Sequence, residues 1–145
     1  MRCILAATDG SESANRAIDV AAQLAQRFDA TLLIVNAVNH DVLSTAEMNK
    51  YRQVEGISLG EALASMSSDI LMQAERQARK HGLTSVKTES REGDAAQVVM
   101  EIMRETGVDA VVVGRRGRGQ VAGLLLGSIS QKLMTLAPCM VIVVP

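Results

Sequence analysis

The sequence predicts a doubly wound α/β domain, a parallel sheet with helices packed on both faces. Two observations carry that class. Short runs rich in β-branched residues, such as Leu32 to Val35, Val111 to Val113 and Met140 to Val144, alternate with longer segments whose apolar residues recur at spacings of three and four. The corners between them are punctuated by Asp9-Gly10, Gly93-Asp94 and Gly127-Ser128. Alternating strands and helices call for right-handed crossovers, and in such folds the ligand crevice lies at the carboxyl ends of the strands, where the strand order reverses.

Arg2 to Thr8 reads as the first buried strand, closing in Asp9-Gly10-Ser11. From Ser13 to Phe28 the residues Ala14, Ala17, Ile18, Ala21, Ala22 and Ala25 give a helical stripe, with Ser11 or Ser13 placed to cap it. Thr31 to Val38 is the second strand. The polar stretch from Asn39 to Gly56 has no period and reads as a loop or lid. Leu59, Leu63, Met66, Ile70, Ala74 and Ala78 then mark a long second helix, with Gly82 suited to the left-handed C′ position.

Val86 to Arg91 alternates, as a strand with one exposed face or at a sheet edge does. Asp94 with Gln97 resembles a capping box for a helix through Val98, Ile102 and Met103 that stops at Gly107. Asp109 to Val113 is a central strand by its β-branched density and runs directly into Gly114. Ser128 to Leu136 is a short helix ended by Pro138, and Met140 to Val144 is the last strand. No repeat or low-complexity linker divides the chain, so residues 1–145 are expected to form one domain.

Bulk properties narrow the function. A formal net charge of -1, with 48% hydrophobic and 21% charged residues, gives nothing that recruits nucleic acid or an anionic membrane. With one Phe, one Tyr and no Trp, base stacking on aromatic side chains is nearly excluded as a binding mode. Met1 to Asp9 lacks the apolar region and cleavage site of a secretory signal, and no apolar run is long enough to span a bilayer, so a cytoplasmic location is expected. Cys3 and Cys139 lie in apolar runs and form no C-x-x-C or Cys/His cluster; they read as inert buried thiols.

The chemistry concentrates where the fourth strand ends. Gly114-Arg115-Arg116-Gly117 is followed after nine residues by Gly127-Ser128, which opens a helix. Glycines let backbone approach an anion and take positive φ, and amides at a helix N-terminus favour negative charge. Neither a Walker A loop nor the compact G-x-G-x-x-G fingerprint is present; the spacing is G-x2-G-x9-G-S. If the first and fourth strands are neighbours, Thr8-Asp9-Gly10 shares one crevice with this loop. Arg115, Arg116 and Arg118 would offset phosphate charge there, or form a solvated basic loop. His40 and His81 read as surface residues, and Ser128 lacks the G-x-S-x-G surroundings of a nucleophile.

At this point the chain resembles the universal stress protein family, in particular its ATP-binding branch, through the G-x2-G-x9-G-S spacing, the opening Ile4 to Ser11, the Asp109 to Gly114 strand and the closing Ala137 to Val144. The resemblance implies a five-stranded sheet of order 3-2-1-4-5, a homodimer formed largely through the last strand, and ATP across the ends of strands one and four, with Mg2+ or Mn2+ accompanying the nucleotide. Carried over by position, Gly114, Gly117, Gly127 and Ser128 match the triphosphate and ribose contacts. Asp9 matches the acidic residue at the nucleotide, where it could meet a metal through water, and Ala37 matches a position at the adenine. Ala7, Thr8, Val38, Val113 and Ile129 are further carried-over neighbours. Two departures stand out: Asn36-Ala37 stands where the family more often has His-Val, and Ala7 where many members carry Pro. A stress or signalling module with at most slow ATP hydrolysis is the first reading. Cyclic AMP as ligand, an enzyme of the same fold and a purely interacting protein are the rivals.

Overall fold

The computed structural model describes residues 1–39, 58–117 and 125–145. The stretch from Asn39 to Gly56, read above as a loop or lid, falls almost wholly outside the described residues, as do His40 and Arg118.

Chain order is β1 (Cys3–Ala7), α1 (Glu12–Phe28), β2 (Thr31–Val38), α2 (Leu59–Arg79), β3 (Val86–Glu92), α3 (Ala95–Thr106), β4 (Ala110–Gly114), α4 (Ser128–Leu136) and β5 (Met140–Val144). The strands form one five-stranded sheet in the order β3-β2-β1-β4-β5, every neighbouring pair parallel. This is the expected fold class and strand order. Ile4 pairs with Leu32 on one side and Ala110 on the other, so β1 lies at the centre and the order reverses between β1 and β4.

The period of two along each strand sends alternate residues into two cores. Ile4, Ala6, Leu32, Ile34 and Val112 face α1 and α2. Leu5, Leu33, Val35, Val111 and Val113 face α3 and α4. Both cores are aliphatic, filled by Ile18, Leu71, Ile102, Met103 and Leu133 in place of the missing aromatics. The inward stripe of α1 is mostly alanine (Ala17, Ala21, Ala22 and Ala25), which lets that helix sit close to the sheet.

Three helices begin with a side-chain cap. Ser11 accepts from the Ala14 N–H, Ser58 from Glu61 and Asp94 from Gln97. Ser13, the alternative cap for α1, is instead buried, and its hydroxyl donates to the Val144 carbonyl at 3.3 Å. Asp94 with Gln97 makes only half a capping box, because the Gln97 amide donates to Glu101. Lys80 caps the C-terminus of α2, and Gly82 takes its left-handed φ of 84° one residue beyond the expected C′ position. The cysteines depart from expectation too. Cys139 precedes β5, and both thiols are free and only partly buried. Desolvation still raises each above its ordinary pKa, keeping them protonated.

Candidate functional site

The site starts from the end of β1. The Thr8 N–H donates to the Val35 carbonyl at 2.9 Å, while its hydroxyl accepts the Gly10 N–H at 3.1 Å. Asp9 accepts the Ser11 N–H at 2.9 Å, a local turn that aims the chain into α1. Gly10, at φ 79°, makes that corner possible.

One strand across, β4 ends in Val113 and Gly114, and the loop that follows is stitched at several points. The Arg115 N–H donates to Val144 at 2.6 Å, and the Arg115 carbonyl accepts the Gly127 N–H at 2.7 Å. The Ser130 hydroxyl reaches back to the Gly114 carbonyl at 2.8 Å. These bonds bring Gly127 and the start of α4 beside Gly114 and Gly117, closing the two halves of the glycine spacing onto one another.

Gly114 and Gly117 stand where a side chain does not fit, whereas Gly127 leaves room for one at ordinary contact distance. A Cβ on Gly114 would lie 2.5 Å from the Ser13 hydroxyl and 2.7 Å from the Ser13 carbonyl carbon, one on Gly117 2.5 Å from an Asp9 carboxylate oxygen, and one on Gly127 3.4 Å from the Arg115 carbonyl. The expectation that these glycines take positive φ is corrected. None does; the left-handed glycines among the described residues are Gly10, Gly82, Gly93 and Gly107. Close approach, rather than an unusual backbone angle, is what the loop requires of Gly114 and Gly117.

Together these segments wall a cavity of about 440 Å³ at the carboxyl ends of β1, β2 and β4. Of the residues singled out from sequence, Ala7, Thr8 and Asp9 line it from β1, and Ala37 and Val38 from β2. Val113, Gly114, Arg116 and Gly117 line it from the β4 side, and Gly127, Ser128 and Ile129 from α4. Arg115 lies off this cavity and contributes through its backbone bonds.

The rest of the wall was not read from sequence as part of the site. α2 supplies Leu63, Met66, Ser67 and Ile70, α3 supplies Ala95 and Val99, and Asn36 faces the cavity from β2. The α2 residues carry an ordinary helical core period, so nothing in sequence marks them. Asn36 did leave a signal, a polar amide inside the run Leu32 to Val38.

The cavity is polar at one end and aliphatic at the other. At the polar end, Gly127 is the N-cap of α4 and offers no side-chain cap, so the start of that helix, with its unbonded amides and positive dipole end, lines the cavity together with Arg116. Asp9 is the carboxylate in the described wall. At the other end Val35, Ala37, Met66 and Val99 form an apolar slot. A flat, largely apolar group joined to an anionic one fits this division. Among the described residues no group of three or more His, Cys, Asp or Glu side chains is placed to hold a metal ion, and no helix is long and apolar enough to cross a membrane.

The profile of the universal stress protein family matches residues 1–145. The chain belongs to that family. A universal stress protein of Thermus aquaticus is 35% identical over 148 aligned residues, covering 99% of this chain and 98% of its own. Among solved structures, the universal stress protein UspA from Lactobacillus plantarum superposes with a TM-score of 0.81 at 24% identity, over 99% of this chain and 97% of that one. A universal stress protein crystallised in complex with cAMP superposes with a TM-score of 0.74 at 26% identity, again over 99% and 97%. These two solved structures thus share the chain's fold and nearly its length.

Proposed function

We propose that this universal stress protein binds ATP in the cavity between β1 and β4 and acts as a nucleotide-dependent stress or signalling module. The observation that carries the reading is the meeting of Asp9, Gly117 and the uncapped start of α4 around one cavity whose far end is aliphatic. In this reading adenine enters the slot beside Ala37 and Val38. The ribose hydroxyls meet Asp9, and the phosphates lie along Gly114, Gly117, Gly127 and Ser128, with Arg116 offsetting their charge. A cAMP complex in a neighbour at 26% identity supports an adenine nucleotide as the ligand class and makes cAMP the second reading.

The residues present also fit a magnesium or manganese ion that accompanies the nucleotide. Such an ion takes most of its ligands from phosphate oxygens and water, and in this reading the Asp9 carboxylate and the Ser128 hydroxyl, both from residues of the cavity wall, would meet its hydration shell. When bound, the ion would neutralise phosphate charge; the chain's own part is to hold the phosphates and fix Asp9. Hydrolysis is at most slow in this reading, because rapid phosphoryl transfer depends on a group positioned for the attacking water, and the reading gives Asp9, the carboxylate of the described wall, to the ribose.

The proposal extends to a cytoplasmic homodimer. Two unpaired thiols suit a reducing compartment. β5 is an edge strand with an exposed Met140 at its start, and Met134 and Leu136 of the preceding helix α4 are exposed as well.

The test is calorimetric titration of nucleotide-stripped protein with ATP and Mg2+, with AMP and cAMP as comparators and the Gly117→Val, Gly127→Val double variant as control. Saturable ATP binding that the double variant loses is the expected result. Preference for cAMP would move the assignment to the second reading, and binding of none of the three by folded protein would overturn both.

A further inference from the structure

A run of hydrogen bonds under the cavity links four elements. The Asn36 Nδ2 donates to the Thr8 carbonyl at 2.8 Å, and the Ser67 hydroxyl donates to the Asn36 Oδ1 at 2.7 Å. Ser67 and Ser90 hydroxyls lie 2.6 Å apart. The direction of the run is fixed by chemistry. A carbonyl only accepts, so Asn36 must turn its NH2 to Thr8 and its oxygen to Ser67; Ser67 then spends its single proton on Asn36, and Ser90 must donate to Ser67. Asn36 is 5% exposed, Ser67 2% and Thr8 5%, which makes loss of either buried side chain, Asn36 or Ser67, expensive in the dry interior, while Ser90 at the far end is exposed.

What the run joins is more telling than its burial. The Thr8 carbonyl belongs to the peptide plane that carries the Asp9 N–H, so Asn36 sets the orientation of the backbone from which the Asp9 carboxylate projects. At the other end, Ser67 sits on α2 between Met66 and Ile70, which form part of the cavity's apolar wall. Asp9 lies at the polar end of the same cavity.

We infer that Asn36 is a positioning residue that locks the α2 wall and the Asp9 carboxylate into one unit, so that an adenine nucleotide is gripped at its base and its ribose by a single coupled device. The inference rests on the nucleotide reading above. It assigns to Asn36 and Ser67 a part in affinity without contact to phosphate.

The experiment uses the full chain with Ser67→Ala, Asn36→Leu, Asp9→Asn and the pairwise doubles, titrated with ATP and Mg2+, together with amide hydrogen exchange of each protein without nucleotide. Ser67→Ala is expected to weaken ATP about fivefold to tenfold in the parent and less than about twofold in the Asp9→Asn background, the signature of coupled groups. Without nucleotide, Ser67→Ala is expected to speed exchange at the Ser11 amide, which reports the Asp9 bond from another element. Ser67→Cys, keeping a weak donor, is expected to fall between. Additive losses, or a Ser11 amide unchanged by Ser67→Ala, would overturn the inference. If the parent binds no adenine nucleotide, the functional reading fails, and the exchange data alone decide whether the two ends are coupled. Should Asn36→Leu not fold by circular dichroism, the Ser67 variants carry the test.

Discussion

Gly117 and Asp9 are so close that the hydrogen on the Gly117 Cα occupies the place where a side chain would strike the carboxylate: a Cβ there would sit 2.5 Å from Asp9 Oδ2. Gly117→Ala is therefore expected to displace Asp9 while leaving the fold intact, since the obstructing atom is the end of a side chain. ATP affinity should fall by about tenfold or more, equivalent to ~1.4 kcal/mol. The melting temperature should be nearly unchanged. Calorimetry beside a thermal melt checks both halves, and a variant that binds as the parent does would remove Gly117 from the site.

Gly114 makes the opposite case. There the missing Cβ would meet main chain, 2.7 Å from the Ser13 carbonyl carbon and 2.9 Å from the Ala14 N, as well as the Ser13 hydroxyl. Backbone cannot swing aside, so Gly114→Ala must push the first turn of α1 off β4. Overpacking of that kind costs about 1–3 kcal/mol. Urea denaturation followed by circular dichroism should show a lower midpoint with little change in slope.

The two glycines show what sequence could and could not say. Their spacing, the strand before them and the helix after them were legible, because local period and turn chemistry write themselves into neighbouring residues. Their purpose was not. Positive φ is the usual reason for a glycine, but here the reason is contact with Asp9 and Ser13, residues more than a hundred positions away in the chain. The same distance hid the cavity's α2 wall. Met66 and Ile70 carry a core period that would look identical whether they packed on sheet or on ligand. Arg115 and Arg116 were alike as text, and only the backbone bonds of Arg115 to Val144 and Gly127 separate them. Asn36 was visible as an amide in an apolar run, yet its partners Ser67 and Ser90 come from elements that only the folded chain brings together.

A pH dependence follows from Asp109, whose carboxylate accepts the N–H groups of Arg2 at 2.5 Å and Cys3 at 3.0 Å and so ties the start of β4 to the start of β1. Those backbone bonds hold its pKa below the ordinary carboxylate value. A depressed folded-state value gives stability that is present above the unfolded pKa of about 3.9 and lost as pH falls through the lower folded value. Glu105, lowered chiefly by its bonds from Arg91, acts in the same direction. Asp109→Asn keeps an acceptor but cannot titrate. Between pH 6 and the acid limb its urea midpoint is expected to fall less than the parent's; equal slopes would remove Asp109 from the acid transition.

The proposed dimer rests on β5, and its packing decides which variant tests it. Ile142 is partly buried against the core on the α1 and α2 side, and Val141 and Val143 pack on the opposite core, so a charge at any of these would strain the monomer as well as an interface. Met140 is different: it lies at the start of the strand and 57% of it is exposed, and Leu136, four residues earlier at the end of α4, is 61% exposed. If the rim of β5 pairs with a second copy, these side chains are covered in solution, and a Lys at each would bury like charges across a two-fold axis. Light scattering is expected to give twice the chain mass for the parent and the single chain mass for Met140→Lys, Leu136→Lys, with circular dichroism unchanged. A parent already at the single mass would overturn the dimer. A double variant that stayed at twice the mass would move the interface away from this rim.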